Sequence, residues 1–183
     1  NSNIKRRILY DAIQAAAVIP FATTYFRSAD FRKTETNNRR LVVSKENIVT
    51  SIHNEILKYV ELNTKKNVTI KFAATSPIIN IYFDKEAINS IIGNFMSNAI
   101  KYTDRGEIDV RINELKDQNQ HYVDISVSDT GHGISPEALP HIFESYYQEN
   151  GKHQMAGTGI GLALVKSLVT LHQGTLSVKS EPE

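Results

Sequence analysis

No cysteine occurs among the 183 residues. That excludes disulfides, thiolate zinc sites and cysteine nucleophiles, and it fits a reducing compartment. Charge of neither sign dominates: 21 Lys and Arg against 20 Asp and Glu give a formal charge of +1. No strong field therefore argues for nucleic acid or for an anionic membrane surface. Long apolar runs are also missing, since nothing reaches the about 18 residues that read as a bilayer-spanning helix. The apolar part from Ile8 to Phe26 is broken by polar residues and Pro20, so no signal peptide is read in it. Internal repeats and low-complexity segments are absent. What remains, at 40% hydrophobic and 22% charged residues, is the composition of a soluble globular protein. The length suits one ordinary domain with an appendage, and the abrupt start reads as that of a piece of something longer.

Periodicity divides the chain. Residues 4 to about 35 carry apolar side chains at Ile8, Leu9, Ala12, Ile13, Ala16, Ala17, Phe21, Tyr25 and Phe26, a stripe that predicts a helix kinked at Pro20. The charged stretch Asp30 to Arg40 loses that period, which places a boundary at residue 40 and separates segment 1–40 from segment 41–183. Leu41-Val42-Val43 is a short strand candidate, and Ser44 or Lys45 is expected to cap a helix running to Leu62. Val68 to Phe72 and Asn80 to Phe83 alternate as strands, with Pro77 between them. Asp84 is a good N-cap for the next helix, whose first turn holds Glu86. Glu107 to Leu115 and Tyr122 to Ser128 alternate again around a polar connection. Gly159 to Gln173 predicts an amphipathic helix ended by Gly174 in the left-handed conformation, and Thr175 begins a last strand. Hairpins dominate over βαβ units, so the expected fold is α+β: a two-layer sandwich with helices on one face of a mixed sheet and an N-terminal helix appended.

Three segments carry chemistry. On the helix after Asp84, an apolar face of Ile88, Ile91, Ile92, Phe95, Met96 and Ala99 leaves Asn94, Asn98, Lys101 and Tyr102 stacked along one side. Two carboxamides, an ammonium and a phenol suit a hydrated cation and a polyphosphate, although alone they would read as an exposed polar face. Asp129-Thr130-Gly131-His132-Gly133-Ile134 follows directly on a strand. Its glycines let backbone approach a flat ligand, and the carboxylate can accept from an exocyclic amine, which adenine presents and guanine does not. Gly157-Thr158-Gly159-Ile160-Gly161-Leu162 opens the last helix, where unobstructed amides and the helix dipole favour an anion. It is neither a P-loop, since no Gly-Lys-Ser/Thr follows, nor the dinucleotide fingerprint. Taken singly, these two segments would read as an Asp-Gly turn and a flexible hinge. Between them, Phe143 to Tyr147 and the polar Gln148 to Ala156 suit a lid and equally a plain surface loop.

In this order the three segments resemble the ATP-binding catalytic domain of sensor histidine kinases, within the ATPase group that includes gyrase, a heat-shock chaperone and mismatch-repair ATPases. The resemblance covers residues 41 to 183 and implies ATP with Mg²⁺ as ligands. It implies that Asn98 coordinates the metal and that Asn94 meets its water shell or phosphate, at a position where the ATPase branches place a catalytic glutamate. Lys101 would neutralise phosphate charge and Tyr102 would lie against the base. Asp129 would accept from the adenine amine, with Gly131 and Gly133 allowing approach, Ile134 packing on the ring and Thr175 supporting Asp129 through water. Gly157, Thr158, Gly159, Gly161 and Leu162 would line the phosphates. The family's phosphoacceptor box is not present; His53-Asn54-Glu55 only imitates it and reads as a surface histidine.

The chain ends ahead of the glycine turn and closing strand usual in the family, so an incomplete sheet edge is expected. Segment 1–40, with Phe31 to Glu35, resembles the end of a dimerisation helix, most like that of Bacteroides-type hybrid two-component sensors. Implied partners are ATP or ADP, the phosphoacceptor helix, a response-regulator receiver domain and a second copy in a homodimeric parent, with no nucleic acid. The implied location is cytoplasmic, with a parent open to anchoring in the inner membrane. As a fragment without its acceptor histidine, the chain is expected to be inactive alone. A nucleotide-holding module without turnover, and a serine kinase or ATPase of the same fold, are the alternative readings.

Overall fold

A computed structural model of the chain describes residues 13–21, 41–117, 120–148 and 158–180. The helix that organises the rest is α2 (Lys85–Tyr102), whose Ala87, Ile88, Ile91, Ile92, Phe95, Met96 and Ala99 are all buried. As the sequence predicts, Asp84 caps it: one carboxylate oxygen accepts from Ala87 N at 3.0 Å and the other from Val42 N at 2.8 Å. Glu86 in the first turn and Lys101 in the last complement the dipole.

α1 (Ile48–Leu62) packs beside α2 and starts later than predicted. Its cap is Asn47, not Ser44 or Lys45, and the Asn47 Oδ1 accepts from Val49 N at 3.2 Å and from Ile79 N at 3.0 Å. Buried Ile48 and Val49 mark where the apolar face begins, which leaves residues 44–47 outside the helix. They form strand β2 (Ser44–Asn47), paired antiparallel with β4 (Asn80–Phe83). Leu41 to Val43, predicted as a strand, are not one, because Asp84 takes the Val42 amide.

The main sheet is built from β3 (Val68–Ala74), β5 (Gly106–Asp117), β6 (Gln120–Asp129), β1 (Ile13–Pro20) and β7 (Thr175–Ser180), in the order β3-β5-β6-β1-β7. β3 and β5 are parallel and the other pairs antiparallel, so the sheet is mixed as expected. α1, α2 and α3 (Gly161–Leu171) cover one face, and the core lies between the two layers. No described helix is long and apolar enough to cross a membrane.

β1 corrects the largest expectation. Over residues 13–20 the predicted N-terminal helix is a strand hydrogen-bonded on both sides, to β6 and to β7. An apolar run uninterrupted from Ala15 to Ile19 satisfies a period of two as well as one of 3.6, and periodicity cannot choose between them. The sheet decides it by burying Ala17 and Ile19 on its helix-covered side. Pro20 then stands at the strand's end and not at a kink. The remainder of segment 1–40, including Phe31 to Glu35, lies outside the described residues except for Phe21.

The end of α3 is corrected as well. Its left-handed residue is Gln173, at φ 57°, and not Gly174. Glycine is needed at 174 for space, since a Cβ there would sit 2.5 Å from the Val18 carbonyl oxygen of β1. Between α3 and Gln173 stands His172, 3% exposed, whose Nδ1 donates to Leu168 O at 2.8 Å while Nε2 accepts from Asp84 N at 3.2 Å. The ring is thus held as one neutral tautomer that ties the end of α3 to the cap of α2. His172→Phe keeps the volume but strands the Asp84 amide. A loss of about 1–2 kcal/mol is expected in urea melts, an unsatisfied buried donor partly offset by apolar packing; an unchanged midpoint would contradict the latch.

Candidate active site

Along α2, Asn94, Asn98, Lys101 and Tyr102 are all half-exposed on the side away from the core. Asn94 donates through Nδ2 to Ser90 O at 2.7 Å, which turns its carboxamide oxygen toward the start of α3. A Cβ on Gly161 would stand 2.4 Å from that oxygen, so glycine is what lets the two helices converge there. The Lys101 ammonium lies 4.7 Å from the centroid of the Tyr102 ring. The ligand side of α2 and the glycine-rich start of α3 therefore meet at Asn94 and Gly161.

The Asp129 loop closes the other end. Asp129 terminates β6 and is 4% exposed. Its Oδ1 accepts from Gly131 N at 2.9 Å and from Thr103 Oγ1 at 3.4 Å. Gly131 lies against the last residue of α2, where a Cβ would be 2.5 Å from Tyr102 O, and His132 N donates to that same oxygen at 3.3 Å. Gly133 takes φ 74°, and Ile134 N donates to Ser180 Oγ at 2.8 Å. The turn is thus seated on the C-terminus of α2, with a buried carboxylate at its root.

Of the phosphate-side segment, Gly157 lies outside the described residues. Thr158 is exposed, Gly159 accepts from Tyr146 N at 2.8 Å, and Leu162 is half-buried at the start of α3. Thr175 does not join the site. It stands opposite Val18, and Val18 opposite Asp124, whereas Asp129 is in register with Ile13 and Ser180. Five residues of strand at ~3.3 Å each put Thr175 ~16 Å along the sheet from the position that could reach Asp129 through one water. Adjacency to Gly174 in sequence carried no information on register.

Four side chains given no role in the sequence reading support the site from below. Thr103, fully buried, holds Asp129. Lys65 Nζ donates to Thr103 O at 2.8 Å, Lys101 O at 3.4 Å and Asp104 Oδ1 at 3.2 Å, placing a cation on the last carbonyls of α2 where the dipole favours it. His132 Nε2 meets the other Asp104 oxygen at 3.1 Å. The Lys65 bond first, and then the His132 bond, hold the Asp104 carboxyl below the usual carboxylate range. A carboxylate lowered on folding stabilises above its unfolded pKa, and that contribution is lost as pH falls through the folded one. Asp104→Asn should accordingly flatten the acid limb of stability below about pH 4, as read by melts across pH 2.5–6 (roughly spanning ordinary carboxylate titration). An identical limb in the variant would refute the assignment.

Among the described residues no group of three or more His, Cys, Asp or Glu could hold a metal. The donor set that does fit Mg²⁺ is neutral oxygen on α2, because this ion keeps much of its water and is carried largely by substrate phosphates.

Residues 83–183, more than half of the chain, match the family described as histidine kinase-, DNA gyrase B-, and HSP90-like ATPase. The chain belongs to that family. Its relatives among curated proteins include histidine kinase P4 of Formosa agariphila, 31% identical over 156 residues, which are 82% of this chain and 11% of that protein. The sensor histidine kinase YvrG of Bacillus subtilis is 35% identical over 112 residues, 61% of this chain and 19% of that protein. This ATPase-family chain thus spans well under a quarter of either relative. Full-length ShkA, solved in complex with AMPPNP, superposes with a TM-score of 0.60 at 28% identity, over 77% of this chain and 28% of that one. The catalytic domain of histidine kinase ThkA gives 0.61 at 20% identity, over 74% of this chain and 94% of that one, a likeness of fold alone. The domain is of the ATP-binding kind found in sensor histidine kinases of two-component systems.

Proposed function

We propose that the chain holds Mg-ATP for transfer of the γ-phosphoryl group to a histidine on a separate phosphoacceptor helix, from which a receiver domain would take it. The observation that carries this reading is the buried Asp129 carboxylate fixed beneath the C-terminus of α2, with Gly131 seated on Tyr102 O. There it can accept from the amine of an adenine approaching over Gly131 and Gly133, with Ile134 and Tyr102 flanking the ring. Lys101 faces the phosphates as a point charge. Amides of Gly157, Thr158, Gly159, Gly161 and Leu162 at the start of α3 meet them from the other side. Asn94 and Asn98 offer carboxamide oxygens to the hydrated ion, which when bound supplies charge neutralisation at the phosphates.

No residue in these roles forms a covalent bond, so the domain contributes positioning and charge. Asn94 bears on the choice of acceptor: a carboxamide has no proton affinity suited to a general base, so water is not activated from this position. That favours a nucleophile brought by a protein over hydrolysis.

The test mixes the purified chain with ATP, Mg²⁺ and a separate fragment carrying a histidine acceptor box. Acid-labile, base-stable phosphate on that fragment is expected. Acid-stable phosphoserine, or steady phosphate release with no labelled protein, would reject the reading. Asn98→Ala is expected to bind ADP with the same affinity with and without Mg²⁺, by calorimetry. Retained dependence on the ion would move the metal contact elsewhere.

A further inference from the structure

We propose that β1 is a wedge that opens separately from the rest of the domain, and that bound nucleotide holds it shut; this rests on the nucleotide reading above. β1 lies between β6 and β7, so among the described residues the ladder joins those two strands only through it. Its register sets Ile13 opposite Asp129 on one side and Ser180 on the other. Ser180 Oγ in turn receives the Ile134 amide at 2.8 Å, from the loop that Asp129 begins. Two strand spacings of ~4.8 Å fix how far Ser180 stands from Asp129. Withdraw β1, and β7 either drifts off or closes by one strand width. In both cases Ser180 no longer meets Ile134, and the loop over the base loses its anchor.

β1 is also weakly committed to its place. Ala15, Ala16 and Ala17 have little preference for extended backbone, and the segment fits a helical period equally well. Only Ala17 and Ile19 are buried. Such a conflict between local preference and built structure marks elements with a second role. The slot is nonetheless shaped for a strand, since Gly174 leaves room where the Val18 carbonyl approaches. A strand that completes the base loop and is held by modest contacts ties nucleotide affinity to whatever pulls on residues flanking it.

Hydrogen exchange on the full chain tests this. Without ADP, amides of Ile13–Ile19 should exchange faster than those of α2. With ADP at 100 times its Kd they should slow by up to about 100-fold, if the open form does not bind, in step with residues 130–134. Protection of 130–134 with no change over 13–20, or β1 exchanging together with α2 in both states, would overturn the wedge. Absence of ADP protection anywhere would overturn the nucleotide reading itself and the wedge with it. A second measurement avoids destabilising variants. Ala16→Cys with Ser177→Cys pairs opposed positions of β1 and β7 in a chain that has no other cysteine. The oxidised pair should bind ADP at least as tightly as the parent and lose the ADP-dependent change over 13–20, with reduction restoring it. A locked chain whose β1 exchange still responds to ADP would count against the proposal.

Discussion

Asp129→Asn should lower affinity for ADP about 10- to 150-fold, the ~1.5–3 kcal/mol of a hydrogen bond to a charged group. The substitution is close to isosteric, and the amide oxygen can still accept from Gly131 N and Thr103 Oγ1, the two bonds that fix the loop. What changes is the other terminal atom, from an acceptor to an NH₂ that cannot receive the adenine amine. Binding should therefore fall while the loop stays folded, a separation that truncation to alanine would blur by unseating Gly131. Calorimetric titration with ADP, beside a melt of each protein, reads both quantities. Unchanged affinity would remove Asp129 from the base site; a collapsed melt would show that the carboxylate serves the fold first.

Much of the site was legible before any coordinates, and for a physical reason. Asp84 caps α2 through Ala87 three residues on, and the Asp-Thr-Gly-x-Gly and Gly-x-Gly-x-Gly patterns stand out by residue type alone, so such signals are written locally. Asn94 and Asn98 fall one turn apart whatever surrounds them, so their common side of α2 follows from spacing alone. The parts that escaped are those fixed by distant partners. Thr103 is 26 residues from Asp129, and Lys65 reaches across 38 to Thr103. Neither carries a sequence mark that distinguishes it from the chain's other threonines and lysines. Thr175 failed for the complementary reason: its place depends on the register of β7 against β1, and β1 itself was read as helix. The register that sets Ile13 opposite Asp129 and Ser180 puts Ser180, and not Thr175, at that end of β7.

Phe95→Ala should cost ~3–5 kcal/mol, the range for truncating a buried aromatic, because transfer energy and a residual cavity add. For a chain of this size the melting midpoint would drop by roughly 6–20 °C. Phe95 is 3% exposed and lies on the core face of α2, directly after Asn94. One residue along the helix is a rotation of about 100°, which carries the side chain from the ligand side to the core. Asn94→Ala tests the other half of that geometry. It removes a half-exposed carboxamide bonded to Ser90 O within its own helix, so its melt should move by less than about 1 kcal/mol, while Mg-ATP binding or turnover falls. The pair thus separates scaffold from chemistry on adjacent positions of one helix, with stability lost in the first variant and ligand response in the second. Should Asn94→Ala melt as low as Phe95→Ala, Asn94 would be a packing residue, and the phosphate side of the site would have to be sought along α3 alone.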